Sequence, residues 1–213
     1  MRSLLARWFG AREAIALRAA HWVVVDCETS GLDPASDRLL SIGAVRVRGV
    51  RIELGEAFNA VLQQESASEP ANILIHGIGG DAQRGGRPAA EVLREFSLFL
   101  GDSVPVAFHA PFDAAVLRRA MAQVPGLTAP RDWLDLARLA PALNPGPDHA
   151  QRALDDWLAE FGIACPARHD ALADAYATAQ LLLVLLAEAE RQGAGTVQRL
   201  RALERAGRWV GAG

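Results

Sequence analysis

The run Val23-Val24-Val25-Asp26-Cys27-Glu28-Thr29 is the feature that most limits how this chain can fold. Consecutive β-branched residues favour a strand, and an unbroken apolar run suits one buried inside a sheet. Side chains alternate between the two faces of a strand, so Asp26 and Glu28 project together while Cys27 faces the other side, where a small apolar residue is expected. Two anions aimed at one spot in apolar surroundings need protons, basic partners or metal ions to be tolerated. The next residues, Thr29-Ser30-Gly31-Leu32-Asp33-Pro34, are turn formers. The carboxylate pair therefore stands where a strand ends and a loop opens, which is where α/β proteins usually carry ligands.

Periodicity extends the strand into a fold class. Strand signals cover 22–28, 39–48 and 51–62, the last two joined at Gly49-Val50 as a tight hairpin, so three antiparallel strands come first. Residues 88–101 change to helical spacing through Val92, Leu93, Phe96, Phe99 and Leu100, with Pro88 at the start and Gly101 at the end. A short strand over 104–108, a helix over 112–122 and a brief strand at Trp133-Leu134 follow, then helices over 135–143, 150–161, 170–191 and 196–206. Strands crowd the first half and helices the second, which predicts an α/β fold with a mixed five-stranded sheet flanked by helices.

With 213 residues, 51% of them hydrophobic, the chain has room for one domain with a sizeable core. The expected organisation is a basic amphipathic helix over 1–20, carrying Leu4, Trp8, Ala11 and Ile15, a body over 21–190, and a basic helical tail over 191–213. The net charge of -3 conceals four Arg against one Glu in the first segment, five Arg against one Glu in the last, and 13 Arg against 23 acids between them. The two ends are thus expected to serve affinity or partner docking and not the chemical step. An acidic body lacks a broad cationic nucleic-acid surface, yet divalent cations held by carboxylates reverse the local field and admit a phosphodiester. Cys27 and Cys165 fit no disulfide framework, and the longest apolar stretch, Leu181 to Ala187, is far too short to span a bilayer. These features lead us to expect a cytoplasmic protein without membrane association.

Two further places set acids in unusual surroundings. Asp113 opens a helix just after the apolar strand Val104 to Phe108, where the helix dipole favours an anion. Asp174 follows His169 by five residues, on an Ala- and Leu-rich helical face. If the two strands are neighbours and the last long helix crosses their ends, Asp26, Glu28, Asp113 and Asp174 converge. Four carboxylates and a histidine suit phosphodiester hydrolysis by two divalent metals, because hard cations take oxygen ligands and a histidine can accept a proton near neutral pH.

Asp26-Cys27-Glu28-Thr29-Ser30-Gly31-Leu32, Phe108-His109-Ala110-Pro111-Phe112-Asp113 and His169-Asp170-Ala171-Leu172-Ala173-Asp174-Ala175 resemble, in order, the three motifs of the DEDDh family of 3′-to-5′ exonucleases. That family includes the proofreading epsilon subunit of bacterial replicative polymerase, ribonuclease T and oligoribonuclease. Ile75-His76-Gly77-Ile78 is similar to a further family segment. The resemblance implies a ribonuclease H-like fold and two Mg²⁺ or Mn²⁺ ions held by Asp26, Glu28, Asp174 and Asp113. It further implies His169 as general base, with Thr29, Leu32, His76 and Phe112 beside the terminal nucleotide. Single-stranded DNA or RNA 3′ ends are the implied substrates, DNA first, and a DNA polymerase subunit is a candidate partner. In this chain Phe108 and His109 stand where epsilon-type members often carry His-Asn.

Three other readings compete: a catalytically silent domain of the same fold used for binding or assembly, an exonuclease acting on short RNA, and a hydrolase of another phosphorylated substrate. All five active positions are present, which favours the enzyme. His109 is expected to be structural, His76 is divided between loop residue and nucleotide contact, and the five tryptophans are expected to pack and not to stack on bases.

Overall fold

The structure, a computed structural model, describes residues 14–207. The β-branched run becomes β1 (His21–Thr29) at the centre of a five-stranded sheet, with β2 (Leu39–Arg48), β3 (Arg51–Val61), β4 (Val104–Ala107) and β5 (Leu134–Asp135) in the order β3-β2-β1-β4-β5. The first three strands are antiparallel neighbours; β1 with β4 and β4 with β5 are parallel. The predicted mixed sheet is therefore present. The last strand sits one residue later than the sequence suggests.

Alternation along β1 divides the interior in two. Trp22 and Val24 face a core completed by α5 (Leu136–Leu143), α6 (Leu154–Glu160), α7 (Ala171–Arg191) and α8 (Val197–Gly207). Val23, Val25 and Cys27 face a second core with α3 (Ala89–Leu100) and α4 (Ala110–Ala122). By length and composition α7 is apolar enough to cross a membrane. Its Leu181, Leu182 and Leu185 are instead wholly buried against the sheet and neighbouring helices, as in a core helix.

Several expectations need correction. Of the predicted N-terminal helix, residues 1–13 lie outside the described part. The remainder is not α-helical: Ala16 bridges to Thr196, and Leu17–Ala19 form one 3-10 turn whose Leu17 is buried in the first core. That bridge seats residues 16–19 against the α7–α8 connection, so tertiary pairing sets the backbone there, while Leu4, Trp8 and Ala11 lie outside the described residues. The helix expected over 150–161 shortens to α6, preceded by a 3-10 turn at His149–Gln151. Two short helices, α1 (Pro70–His76) and α2 (Gly80–Arg84), occupy a stretch in which periodicity predicts no element. Trp22 and Trp157 are fully buried, as packing residues should be, while Trp8 and Trp209 lie outside the described residues.

Candidate active site

Asp26 and Glu28 sit on the last turns of pleat in β1, on the face covered by α7. Opposite Asp26 in the ladder is Gly43 of β2, and a Cβ there would lie 2.1 Å from the backbone carbonyl carbon of Ala171. Only glycine lets the first turn of α7 press onto the sheet at this point, and that close approach delivers Asp174. Asp170 caps the helix by accepting from the Ala173 N–H at 2.9 Å. Carboxylate oxygens of Asp26, Glu28 and Asp174 come within 4.8 Å of one another.

Asp113 reaches the same edge from the opposite side of the sheet. It lies in the first turn of α4, is buried, and receives the Cys27 thiol and the Cys27 backbone N–H. It is close enough to raise Asp26 electrostatically, yet it is not one of the three mutually close carboxylates. The four predicted acids thus converge at one strand end as three plus one. Asp135, which sequence reading passed over, supports this arrangement. It is buried, caps α5 through the Ala137 N–H at 3.1 Å, and also accepts from the Ala110 N–H at 3.3 Å, which ties down the start of α4. An aspartate immediately before an apolar helical run was the available signal.

The electrostatics show anions held at a cost. Burial, followed by the charges of Asp113, Glu28 and Asp174, pushes Asp26 well above the ordinary carboxylate range. Burial and then Asp174, Asp170 and Asp113 push Glu28 up to about 8. Burial raises Asp113 to about 7, against the opposing donors on Cys27 and its own backbone N–H. Three acids that resist ionisation beside a fourth are what a divalent cation would stabilise, and their hard oxygen donors fit Mg²⁺ or Mn²⁺.

His169 has a left-handed backbone (φ 64°), and its N–H donates to Asp174 Oδ2 at 2.9 Å. The residue as a whole is exposed. On the other rim, Thr29 donates to the Gly31 carbonyl at 2.6 Å, and Leu32 is 91% exposed. This rim is knitted by Ser30 Oγ to Asp37 at 2.8 Å and by Asn72 of α1, whose side-chain amide donates to the Ser30 carbonyl. Phe112 is half-buried against the second core. His76 is buried: its Nδ1 accepts from the Ile78 N–H at 3.0 Å, which leaves Nε2 to donate to Ser68 Oγ at 3.2 Å. Both ring nitrogens are thus engaged inside the protein. His109, at the start of α4, is exposed with its ring edge-on to Phe108.

With this geometry in hand, the chain can be compared with known proteins. A family model described as exonuclease, of the ribonuclease T type, matches residues 23–182. The chain belongs to this exonuclease family. DNA polymerase III PolC-type from Thermotoga maritima is 35% identical over 164 residues, which is 77% of this chain and 12% of that protein. A DNA polymerase III subunit epsilon-like protein from Rhodobacter capsulatus is 35% identical over 179 residues, 82% of this chain and 25% of the relative. The exonuclease-family chain therefore spans only an eighth to a quarter of these relatives. Exonuclease I of E. coli in complex with a dT13 oligonucleotide superposes with a TM-score of 0.67 at 24% identity, over 81% of this chain and 42% of that one. That likeness gives the fold, which is ribonuclease H-like, as the sequence resemblance implied.

Proposed function

We propose that this exonuclease-family chain is a divalent-metal-dependent 3′-to-5′ exonuclease that releases nucleoside monophosphates from single-stranded ends, DNA in the first place. The observation that carries the reading is the meeting of Asp26, Glu28 and Asp174 within 4.8 Å at an open sheet edge, with Asp113 buried behind them. Asp26, Glu28 and Asp174 would hold one cation, and Asp26 with Asp113 a second. Bound cations supply Lewis acidity to the scissile phosphate and ease deprotonation of water. The chain's own groups do the rest. Thr29 and Leu32 hold the last nucleotide at the rim, and Phe112 lies to one side of it. His169, solvent-accessible and fixed through its backbone N–H, takes the proton of the attacking water. The water oxygen bonds to phosphorus as the bond from phosphorus to the neighbouring 3′ oxygen breaks, leaving a free 5′-monophosphate and a strand one nucleotide shorter. His76, with both nitrogens occupied, contributes by shaping the loop that carries α1.

The names of the polymerase III relatives support DNA over RNA, a polymerase subunit as partner and a cytoplasmic location. Oligonucleotides labelled at one end or the other test the polarity. The 3′ label should leave first as a mononucleotide while the 5′-labelled strand shortens stepwise, and DNA should be degraded faster than RNA of the same sequence. Initial release of the 5′ nucleotide, or internal cleavage, overturns the reading.

A further inference from the structure

Arg168 has no part in the chemistry above, yet it sits on it. Its Nη1 forms an ion pair with Asp174 Oδ1, while its Nε donates to Asp155 Oδ1 of α6 at 2.5 Å. The two oxygens of Asp174 are unequally engaged, with Oδ1 the more crowded. Oδ2 accepts the His169 N–H, and Oδ1 meets both the Arg168 guanidinium and the Cys165 thiol, the latter at 3.4 Å. The buried Nη1 stands against Oδ1 as an ion pair without hydrogen-bond alignment, so the positive charge of Arg168 already occupies the approach to Oδ1, and the thiol, a weak donor, is easily displaced. The charge on Arg168 also opposes the rise of the Asp26 and Glu28 pKa values, as a metal ion at the centre would.

We infer that Arg168 is a positioning residue that serves as the resident counter-cation of this centre: it holds Asp174 when no divalent metal is bound and must yield Oδ1 before both oxygens of Asp174 can serve one. The inference rests on the metal-centre reading above. Yielding Oδ1 does not strand the guanidinium, because the side chain of Asp155 is two-thirds exposed and remains its partner. The chain thereby sets its own metal affinity by internal competition between Asp174 and Asp155 for one arginine. Arginine suits the role because its planar fork can face two carboxylates at once.

The competition predicts opposite effects from two substitutions, a pattern that a general loss of structure does not produce. Mn²⁺ titrated calorimetrically into the full chain, without substrate, should bind Arg168→Met roughly two- to tenfold more tightly than wild type, the scale of a partly screened ion pair. Asp155→Asn, which leaves Arg168 with Asp174 alone, should bind Mn²⁺ more weakly. Glu160→Gln removes the same charge from the same helix, where it pairs with Arg152, and should change nothing. Equal or weaker Mn²⁺ binding by Arg168→Met overturns the inference, as does equal weakening by Asp155→Asn and Glu160→Gln. Absence of Mn²⁺ binding by wild type, Arg168→Met and Asp155→Asn alike overturns the metal centre and this inference with it.

Discussion

Asp174 shows how much of this site depends on individual residues: one carboxylate closes the acidic cluster, fixes the backbone of His169 and pairs with Arg168. Because His169 is assigned a proton and not a cation, His169→Ala should slow mononucleotide release by roughly 10² to 10⁴ while leaving Mn²⁺ affinity nearly unchanged. Wild-type rates at neutral pH in that variant would assign the base elsewhere. The raised acids also make stability depend on pH. A carboxyl whose folded pKa exceeds its unfolded one contributes stability that is fully present below the unfolded value, near 4, and is lost as pH rises through the folded one. With Asp113 at about 7 and Glu28 at about 8, the metal-free protein should lose stability progressively from about pH 4 to about pH 8. Added Mn²⁺ should recover most of the loss at the alkaline end, and a metal-free melting temperature that rises with pH contradicts the electrostatic picture. The acids were legible in sequence because a two-residue spacing within a β-branched run has few other readings. Arg168 and Asp135 were not, because their role lies in what they touch across the fold, and nothing in their local spacing distinguishes them from surface charges.

At the scale of elements, the crossing of α7 over the sheet does the positioning, and Gly43 permits it. Gly43→Ala places a Cβ inside the Ala171–Leu172 backbone, so α7 or β2 must shift. We expect a loss of about 1–3 kcal/mol or more in unfolding free energy, typical of overpacking, together with a loss of activity greater than the fraction unfolded accounts for. Unchanged melting and turnover in this variant would mean that α7 does not owe its place to this contact. The long periodic elements β1, β2, β3, α3 and α7 were all readable, since each has an apolar pattern extended enough to set its type. The segment holding α1 and α2 was not, for a physical reason. Helices of seven and five residues are too short to be stable by themselves, and this segment is held by buried polar bonds. Gln83 donates to Ser68 Oγ at 2.9 Å and to the Ile78 carbonyl at 2.7 Å, and Ser68 in turn meets His76. Such a network leaves no periodic trace.

At the scale of the whole molecule, the described residues form two cores on either side of one sheet, and the segments flanking the predicted body contribute to the first. Leu17, Val197 and Leu200 are buried there, the Leu17 N–H donates to the Gly195 carbonyl at 3.2 Å, and Arg18 pairs with Glu190 at 2.7 Å. A chain cut to residues 20–191 should therefore melt well below the full chain, since each buried Leu or Val carries about 1.5–3 kcal/mol. The truncated chain should still turn over a dinucleotide at temperatures where it stays folded. Melting equal to the full chain would show that these contacts add little. Composition could not reveal this, because arginine-rich ends look solvated whether or not their apolar stripe is docked. The acidic cluster itself is tested most directly by mononucleotide release from 5′-labelled single-stranded DNA. With Mn²⁺ or Mg²⁺ the wild-type chain should shorten the strand stepwise, excess EDTA should stop it, and Asp26→Asn should leave the strand intact while remaining folded. Turnover in excess EDTA, or wild-type turnover by Asp26→Asn, would contradict a metal-dependent centre built on Asp26, Glu28 and Asp174.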